Sequence, residues 1–330
     1  MKKSIPIVMV SDNNYAPLVA VVIASVCYNT KSDCKFYIIN SNITPDRKQK
    51  IQNLKNSFNN FDVEFIDTKA NDFFEKCKKD YTFWPSDVLL KMALPEITKI
   101  KDKLVYLDCD IVVQNDIAEL YNEDLEDKII AAVPQISDDK RNKALNINDS
   151  HKYFNSGIFL LDCKKWKKEN CLKKLMYLFL ENQNNLKYPD QDLLNKCFEN
   201  NYKELKIKYN LTNEYLDYSD KLTNDKSEEL IEAINHNTIR HFEGGPKPWL
   251  YNHFKQNGFD KFWFYAKMTD FYELLATEFM INNIREIPRK NETKKIKLFN
   301  IFVLFSICKV NPKKTIIKLF NLIPLLVIKK

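Results

Sequence analysis

Short apolar runs alternate with longer mixed runs along the first half of this chain. The apolar runs predict strands, and the mixed runs between them predict helices. Thr44-Pro45 is a good start signal for the second helix, because proline is tolerated in a first turn. A further helix, with Pro95 late in it, leads into the fourth strand. The predicted strands span residues 5–10, 34–40, 61–66, 104–107, 129–133 and 158–161, and the other helices span residues 15–28, 44–58 and 164–180.

This rhythm predicts an α/β protein with a parallel, Rossmann-like sheet. In such sheets the ligand lies at the carboxyl ends of the strands. No glycine-rich loop follows the first strand, which disfavours P-loop and dinucleotide binding and a sugar-nucleotide pyrophosphorylase. Residues 200–235 are polar and irregular, and the pattern predicts no definite element there.

The fourth predicted strand ends in two carboxylates, Asp108 and Asp110. On an extended backbone residues i and i+2 point to the same side, so both carboxylates can face one cation. Oxygen ligands suit Mg²⁺ or Mn²⁺, which usually also hold a substrate's phosphates. The pair therefore indicates a candidate diphosphate site, and a solvated turn is the alternative.

A second motif lies far along the chain, between His241 and Trp249. The protein has 4 glycines in 330 residues, and two of them, Gly244 and Gly245, stand side by side here. A glycine pair permits positive φ and close backbone approach, as in an anion-binding turn. His241 can supply a third metal ligand and Lys247 a point charge for a phosphate. The alternative is a structural turn before a buried Trp249.

Six ordered blocks together carry a more specific signal than either motif. They are residues 10–16, 90–96, 108–110, 153–158, 188–195 and 241–249. In motif and order, across about residues 5–265, the chain resembles glycosyltransferase family 8. This retaining group includes bacterial lipopolysaccharide galactosyl- and glucosyltransferases.

The resemblance implies a GT-A catalytic domain at residues 1–265, with one Rossmann-like mixed sheet flanked by helices. It also implies transfer of galactose or glucose from a UDP-sugar to a saccharide or glycolipid acceptor, with Mn²⁺ or Mg²⁺ as cofactor. The product would belong to lipopolysaccharide or another cell-surface glycan. A membrane-associated protein with a degenerate, non-catalytic sugar-nucleotide site is the alternative.

Individual roles follow from the same resemblance. Asp12, Asn14 and Tyr15 would bind the uridine, although Asp12 also suits a helix N-cap. Asn155 would hydrogen-bond the donor sugar, although it also suits a turn. The Gly244 amide, with Lys247, would assist the departing diphosphate.

Two further residues would contact the sugar, and two positions depart from the family pattern. Asp190 would bind sugar hydroxyls, and Gln191 would lie beneath the anomeric carbon. A neutral amide is a poor nucleophile, which favours same-face attack over a double displacement. Lys91 stands where relatives usually carry a donor-contacting arginine, and lysine lacks the fork geometry. Gln135 stands where relatives often carry aspartate.

Charge separates the end of the chain from the rest. Residues 285–330 hold 12 Lys/Arg and 2 Asp/Glu, so this segment is strongly basic. The rest of the chain holds 39 Lys/Arg and 42 Asp/Glu and is slightly acidic. Two apolar runs lie among these lysines, and neither reaches the ~20 residues that span a bilayer. The composition predicts a helical extension at residues 266–330 that attaches to an anionic membrane surface. Packing on the enzyme or on another subunit is the alternative, and nucleic acid is disfavoured.

Cysteine use and the start of the chain indicate the compartment. The eight cysteines form no Cys-x-x-Cys pair and sit among apolar residues, as reduced structural thiols do. The apolar run at residues 5–10 is too short for an export signal. The expected location is cytoplasmic, peripheral on the inner face of the cell membrane.

Overall fold

The computed structural model describes most of the chain. The described residues are 4–68, 86–136, 139–219, 222–245, 247–250, 257–285, 293–298, 302–311, 314–319 and 323–329. Their contacts divide into two units, Met1–His241 and Phe242–Lys330. The domain boundary expected near residue 265 stays a prediction.

Among the residues that the structure describes, nine strands belong to the first unit. They are β1 Ile5–Ser11, β2 Cys34–Asn40, β3 Phe61–Asp67, β4 Lys103–Leu107, β5 Ile111–Val113, β6 Ile130–Pro134, β7 Phe154–Asp162, β8 Lys203–Glu204 and β9 Ile239–His241. Seven of them form one sheet in the order β3-β2-β1-β4-β7-β6-β8, and β5 pairs with β9. Strands β1 to β4 run parallel, whereas β7 runs antiparallel to β4 and β6. This mixed sheet confirms the expected fold class.

The helices of the first unit cover or connect these strands. They are α1 Ala16–Asn29, α2 Pro45–Gln52, α3 Leu94–Thr98, α4 Ala118–Tyr121, α5 Asp139–Leu145, α6 Cys163–Lys168, α7 Cys171–Asn182, α8 Pro189–Cys197, α9 Asn213–Asp217 and α10 Asn224–His236. Helix α1 is buried from Ala16 to Cys27. A helix that is apolar all round belongs in a core, and Ile7, Val8 and Met9 of β1 are fully buried as well. A central parallel strand is buried on both faces, which explains its continuous apolar run.

Several helices differ from their predictions for local reasons. The helix predicted at residues 164–180 is two helices, because Asn170 adopts a left-handed conformation with φ of 52° between them. Pro95 lies in the first turn of α3 rather than late in a helix, which is where proline costs least. Helix α10 lies in the region for which no element was predicted.

The second unit contains two helices and a small antiparallel sheet. The helices are α11 Phe259–Ala266 and α12 Tyr272–Arg285, and the strands are β10 Thr293–Leu298, β11 Phe302–Asn311, β12 Lys314–Leu319 and β13 Ile323–Lys329. The expected helical tail therefore holds for α12 and not for residues 293–329. Isoleucine and phenylalanine favour strands, and the backbone register places Ile296 opposite Phe305. Among the described residues, no helix is long and apolar enough to span a membrane.

Candidate metal and donor site

Pairing of two short strands brings the predicted metal ligands together. The Asp108–Asp110 bend follows β4 and leads into β5, and β5 pairs antiparallel with β9 so that Ile111 lies opposite His241. One ligand atom from each of Asp108, Asp110 and His241 lies within 4.8 Å of the others. We call these three residues the metal trio. Two carboxylates and an imidazole suit a divalent cation such as Mn²⁺ or Mg²⁺.

Gly157 of β7 explains how these side chains fit so closely. The Asp108 amide donates to the Gly157 carbonyl at 2.7 Å. A Cβ added to Gly157 would lie 2.4 Å from Cε1 of His241 and 2.8 Å from Oδ2 of Asp108. Any larger residue would therefore displace two of the three ligands. Gly157 is one of the 4 glycines of the chain, and glycine at this position gives the trio steric room.

His241 is buried, and both ring nitrogens have partners. Nε2 lies 3.1 Å from Oδ1 of Asp110, and Nδ1 lies 3.0 Å from Oδ1 of Asn210. Asn210 is itself fully buried and donates through Nδ2 to Oδ1 of Asn155 at 2.9 Å. Sequence reasoning missed Asn210, because it lies in the irregular region and belongs to no motif.

Lys91 links the metal trio to Asp190. Its ammonium lies 2.9 Å from Oδ1 of Asp108 and 2.8 Å from Oδ2 of Asp190, and the side chain is buried. Burial disfavours the charged amine, but the two carboxylates outweigh it and raise the pKa of Lys91. For Asp108, burial raises the pKa of the carboxyl and the Lys91 charge opposes the rise. Lys91 thus pairs with two carboxylates, and its expected donor contact stays a prediction.

The first turn of α8 presents Asp190 and Gln191 next to β7. Ser156 holds both, since its hydroxyl donates to Oδ2 of Asp190 at 2.8 Å and its amide donates to Oε1 of Gln191 at 3.0 Å. Nε2 of Gln191 in turn donates to Oε1 of Gln135 at 3.4 Å. The two positions that depart from the family pattern, Lys91 and Gln135, thus each bind a predicted sugar-contacting residue.

Asn195 fastens this helix to the strand. Its Nδ2 donates at 2.9 Å to the carbonyls of Phe154 and Gln191, and its Oδ1 accepts the Phe154 amide at 2.7 Å. Nε2 of His151 donates to the same oxygen at 3.0 Å, while its Nδ1 accepts the Asn200 amide. These buried hydrogen bonds position Asp190 and Gln191. Asn195 lies in the sequence block 188–195, but sequence reasoning assigned it no role.

The predicted uridine block forms the turn before α1. Oδ1 of Asp12 accepts the Tyr15 amide at 2.9 Å. This local contact lies just before α1 and resembles the helix-capping alternative for Asp12. Asn14 and Tyr15 are exposed. Partial burial of the phenolic hydroxyl, and then the Asp110 carboxylate, raise the pKa of Tyr15. The uridine role of this block stays a prediction.

The thiol between the two aspartates faces the core. Cys109 is buried, and its Sγ lies 3.4 Å from the Val10 carbonyl. Burial raises the pKa of this thiol, so it stays protonated and fills space. The aspartates on either side of it therefore supply the ligand oxygens of the bend.

In the second unit, the residues after His241 form a tight turn. Gly244 has a φ of 62°, which is the conformation the glycine pair predicted. Nζ of Lys247 donates to the Phe242 carbonyl at 2.5 Å and lies 5.7 Å from the ring centre of Trp249. Trp249 packs on Phe262, with ring centres 5.3 Å apart. The turn is thus anchored by aromatic packing, and a donor role for Gly244 and Lys247 stays a prediction.

The mixed sheet, with a carboxylate bend after a central strand, defines the class as a GT-A glycosyltransferase fold. The structure is similar to the galactosyltransferase LgtC in complex with donor and acceptor sugar analogues. The TM-score is 0.71 and the identity 22%, over 81% of this chain and 96% of that one. The sequence model of glycosyl transferase family 8 matches residues 6–253, and the chain belongs to this family.

Two curated relatives show how far the sequence similarity extends. General stress protein A of Bacillus subtilis is 28% identical over 253 residues, which are 74% of this chain and 87% of the relative. A lipopolysaccharide 1,2-glucosyltransferase of Escherichia coli is 26% identical over 247 residues, which are 72% and 71% of the two chains. The chain is therefore a glycosyltransferase.

Proposed function

We propose that this enzyme transfers galactose or glucose from a UDP-sugar to a saccharide acceptor during assembly of a cell-surface glycan. The observation that carries the proposal is the metal trio, joined through Lys91 to Asp190. Family membership supports the reaction class. The names of the E. coli glucosyltransferase and of LgtC support a hexose donor and a glycan acceptor.

The metal trio would hold Mn²⁺ or Mg²⁺, since the donor set and the space at Gly157 fit such an ion. When bound, the ion would neutralise the charge that develops on the departing diphosphate. Lys91 keeps Asp108 aligned from the opposite side through its ion pair. Lys247 would add its point charge to the departing phosphate.

The site's own residues favour retention by same-face attack. One lone pair of Oε1 of Gln191 accepts the Ser156 amide, and an amide oxygen carries two lone pairs. The second can stabilise positive charge on the sugar ring. Asp190 would hold sugar hydroxyls, since Lys91 and Ser156 both reach its Oδ2. The acceptor hydroxyl would attack from the face that UDP leaves.

A panel of nucleotide sugars tests this function without knowledge of the acceptor. Slow hydrolysis of UDP-galactose or UDP-glucose, in the presence of Mn²⁺, is the expected result. GDP- and ADP-sugars should remain intact. Binding of UDP-sugar without hydrolysis, under conditions in which a family member turns over, would instead favour the non-catalytic binding protein.

We also propose that the tail attaches the enzyme to the inner face of the cell membrane. Residues 285–330 carry 12 Lys/Arg and 2 Asp/Glu, and apolar runs lie among the lysines. This composition suits attachment to an anionic lipid surface.

A further inference from the structure

We propose that Asn210 is a positioning residue that holds the His241 imidazole with its proton on Nδ1, so that Nε2 presents a lone pair to the metal. The inference rests on the proposed metal site and adds the residue that orients one of its ligands. It also gives Asn155 a second task besides the predicted donor contact.

The assignment starts from a donor whose identity is certain, the backbone amide of Gly157. This amide donates to the side chain of Asn155 at 2.9 Å, so the acceptor atom there must be the carbonyl oxygen Oδ1. The same oxygen lies 2.9 Å from Asn210, which must therefore offer its amino group, Nδ2. The carbonyl oxygen of Asn210 then faces Nδ1 of His241 at 3.0 Å. An oxygen that can only accept requires a proton on Nδ1.

Burial makes this order of donors and acceptors hard to reverse. The exposed fractions are 6% for Asn155, 0% for Asn210 and 2% for His241. Flipping the Asn210 amide would set its carbonyl oxygen against Oδ1 of Asn155, which already accepts the Gly157 amide. A buried polar group without a partner costs about 1–3 kcal/mol, and solvent cannot compensate here.

The backbone also ties Asn210 closely to the strand that carries His241. The next residue, Leu211, donates its amide to the Ile239 carbonyl and accepts the His241 amide, both at 3.0 Å. Asn210 is thus fixed beside β9 by main-chain bonds. Its side chain has little freedom to leave the imidazole.

The arrangement on the other ring nitrogen agrees with a cation site. With the proton on Nδ1, the Nε2 lone pair faces Oδ1 of Asp110 at 3.1 Å. Two acceptors at this distance repel unless a cation lies between or beside them. Histidine ligands generally have their second nitrogen held by an acceptor, which fixes the tautomer and raises ligand basicity. Asn210 meets that requirement.

Nitrogen NMR of the metal-free protein tests the tautomer directly. The protein would be labelled with ¹⁵N-histidine, and the His241 signals assigned with a His241→Gln variant. At a pH where the ring is neutral, we expect a protonated Nδ1 and an unprotonated Nε2. Free histidine prefers the opposite tautomer, so a proton on Nε2 of His241 would overturn the inference.

Two substitutions separate positioning from general stability. Asn210→Ala should lose the tautomer preference and weaken Mn²⁺ binding about 10- to 100-fold. Asn210→Asp retains the acceptor that faces Nδ1 but loses the donor to Oδ1 of Asn155, so it should retain the Nδ1 proton. The control is Asn237→Ala, which removes a buried partner of Gln114 near the start of β9. It should change neither readout, whatever it does to stability.

The outcomes keep this inference apart from the proposed function. If Mn²⁺ alone, followed by electron paramagnetic resonance, does not bind the wild-type protein, the proposed metal site fails while the NMR result stands. If Mn²⁺ binds, an Asn210→Ala protein with unchanged affinity and an unchanged Nδ1 proton would refute the role of Asn210. An equal loss in Asn237→Ala would also refute it.

Discussion

Two aspartates lie two residues apart in the first turn of α8, and their surroundings differ. Asp192 is fully buried and accepts five hydrogen bonds, from Arg141, Tyr153 and the amides of residues 187 and 188. Both contacts of Asp190 reach Oδ2, which leaves Oδ1 without a protein partner among the described residues. A carboxylate whose two oxygens both accept hydrogen bonds from the protein stabilises the fold. A carboxylate with one oxygen that accepts none can accept a hydrogen bond from a substrate hydroxyl.

The largest effect should come from exchanging these two carboxylates for amides. Asp190→Asn should lower kcat about 100-fold or more, because it removes charge beside the reacting sugar. Asp192→Asn should instead lower the free energy of unfolding by about 3–5 kcal/mol, since it leaves Arg141 without its buried partner. Steady-state kinetics and urea unfolding measure the two. Equal kcat losses in both variants would contradict the distinction.

Substitution of Lys91 tests whether catalysis depends on the ion pairs that Lys91 forms with Asp108 and Asp190. Lys91→Met keeps the volume but leaves the Asp108 and Asp190 carboxylates facing each other. We expect kcat to fall about 100-fold through misplacement of both groups. Lys91→Arg restores the charge and should recover part of the activity, and more if the arginine fork also reaches the donor. Full activity in Lys91→Met would exclude a positioning role.

Lys247 extends the comparison to the second unit, where its ammonium donates to the Phe242 carbonyl and lies 5.7 Å from the ring centre of Trp249. Lys247→Ala should lower kcat by about tenfold, which is 1.4 kcal/mol, with a smaller change in the donor KM. The charge matters most as the phosphate leaves. A change confined to KM would leave only a binding role. Lys267→Ala is a suitable control, since Lys267 is an exposed lysine of the same unit.

The tail should affect location more than catalysis. Removal of residues 286–330 should release the protein from anionic vesicles while activity on a soluble acceptor survives. High salt should partly release the intact protein, because the attraction is screened over about 8–10 Å. Vesicle flotation measures both. A truncated protein that still floats would contradict membrane attachment by the tail.

The smallest effect concerns His151, which contacts Asn195 of α8 and has no predicted part in catalysis. Burial lowers the pKa of His151, whereas its contact with Asn195 and the Glu199 carboxylate oppose that shift. The unfolded chain therefore binds more protons in acid, and stability is lost as pH falls below about 6.5. Between pH 7.5 and 5.5 the free energy of unfolding should fall more in the wild-type protein than in His151→Gln. The exposed His236→Gln should behave like wild type.

The sequence predicted features that depend on local patterns and missed contacts between residues that lie far apart in the chain. The central strands were readable because their apolar runs are continuous, and the metal trio because its residues lie in unusual local patterns. Asn210 acts on His241 from 31 positions away, and Arg141 on Asp192 from 51. Local periodicity carries no information on such pairs. In the tail, short apolar runs suit helix or strand equally, so periodicity alone could not choose the sheet.

The most direct test of the metal trio is the metal dependence of UDP-hexose hydrolysis in wild type and in Asp110→Asn, with Asp67→Asn as control. Asp67 is an exposed partner of Lys48. Wild type and the control should be inactive in EDTA and recover with Mn²⁺ or Mg²⁺. Asp110→Asn should stay folded, bind neither metal nor UDP tightly, and remain inactive. Full activity of wild type in EDTA, or of Asp110→Asn with metal, would contradict the account.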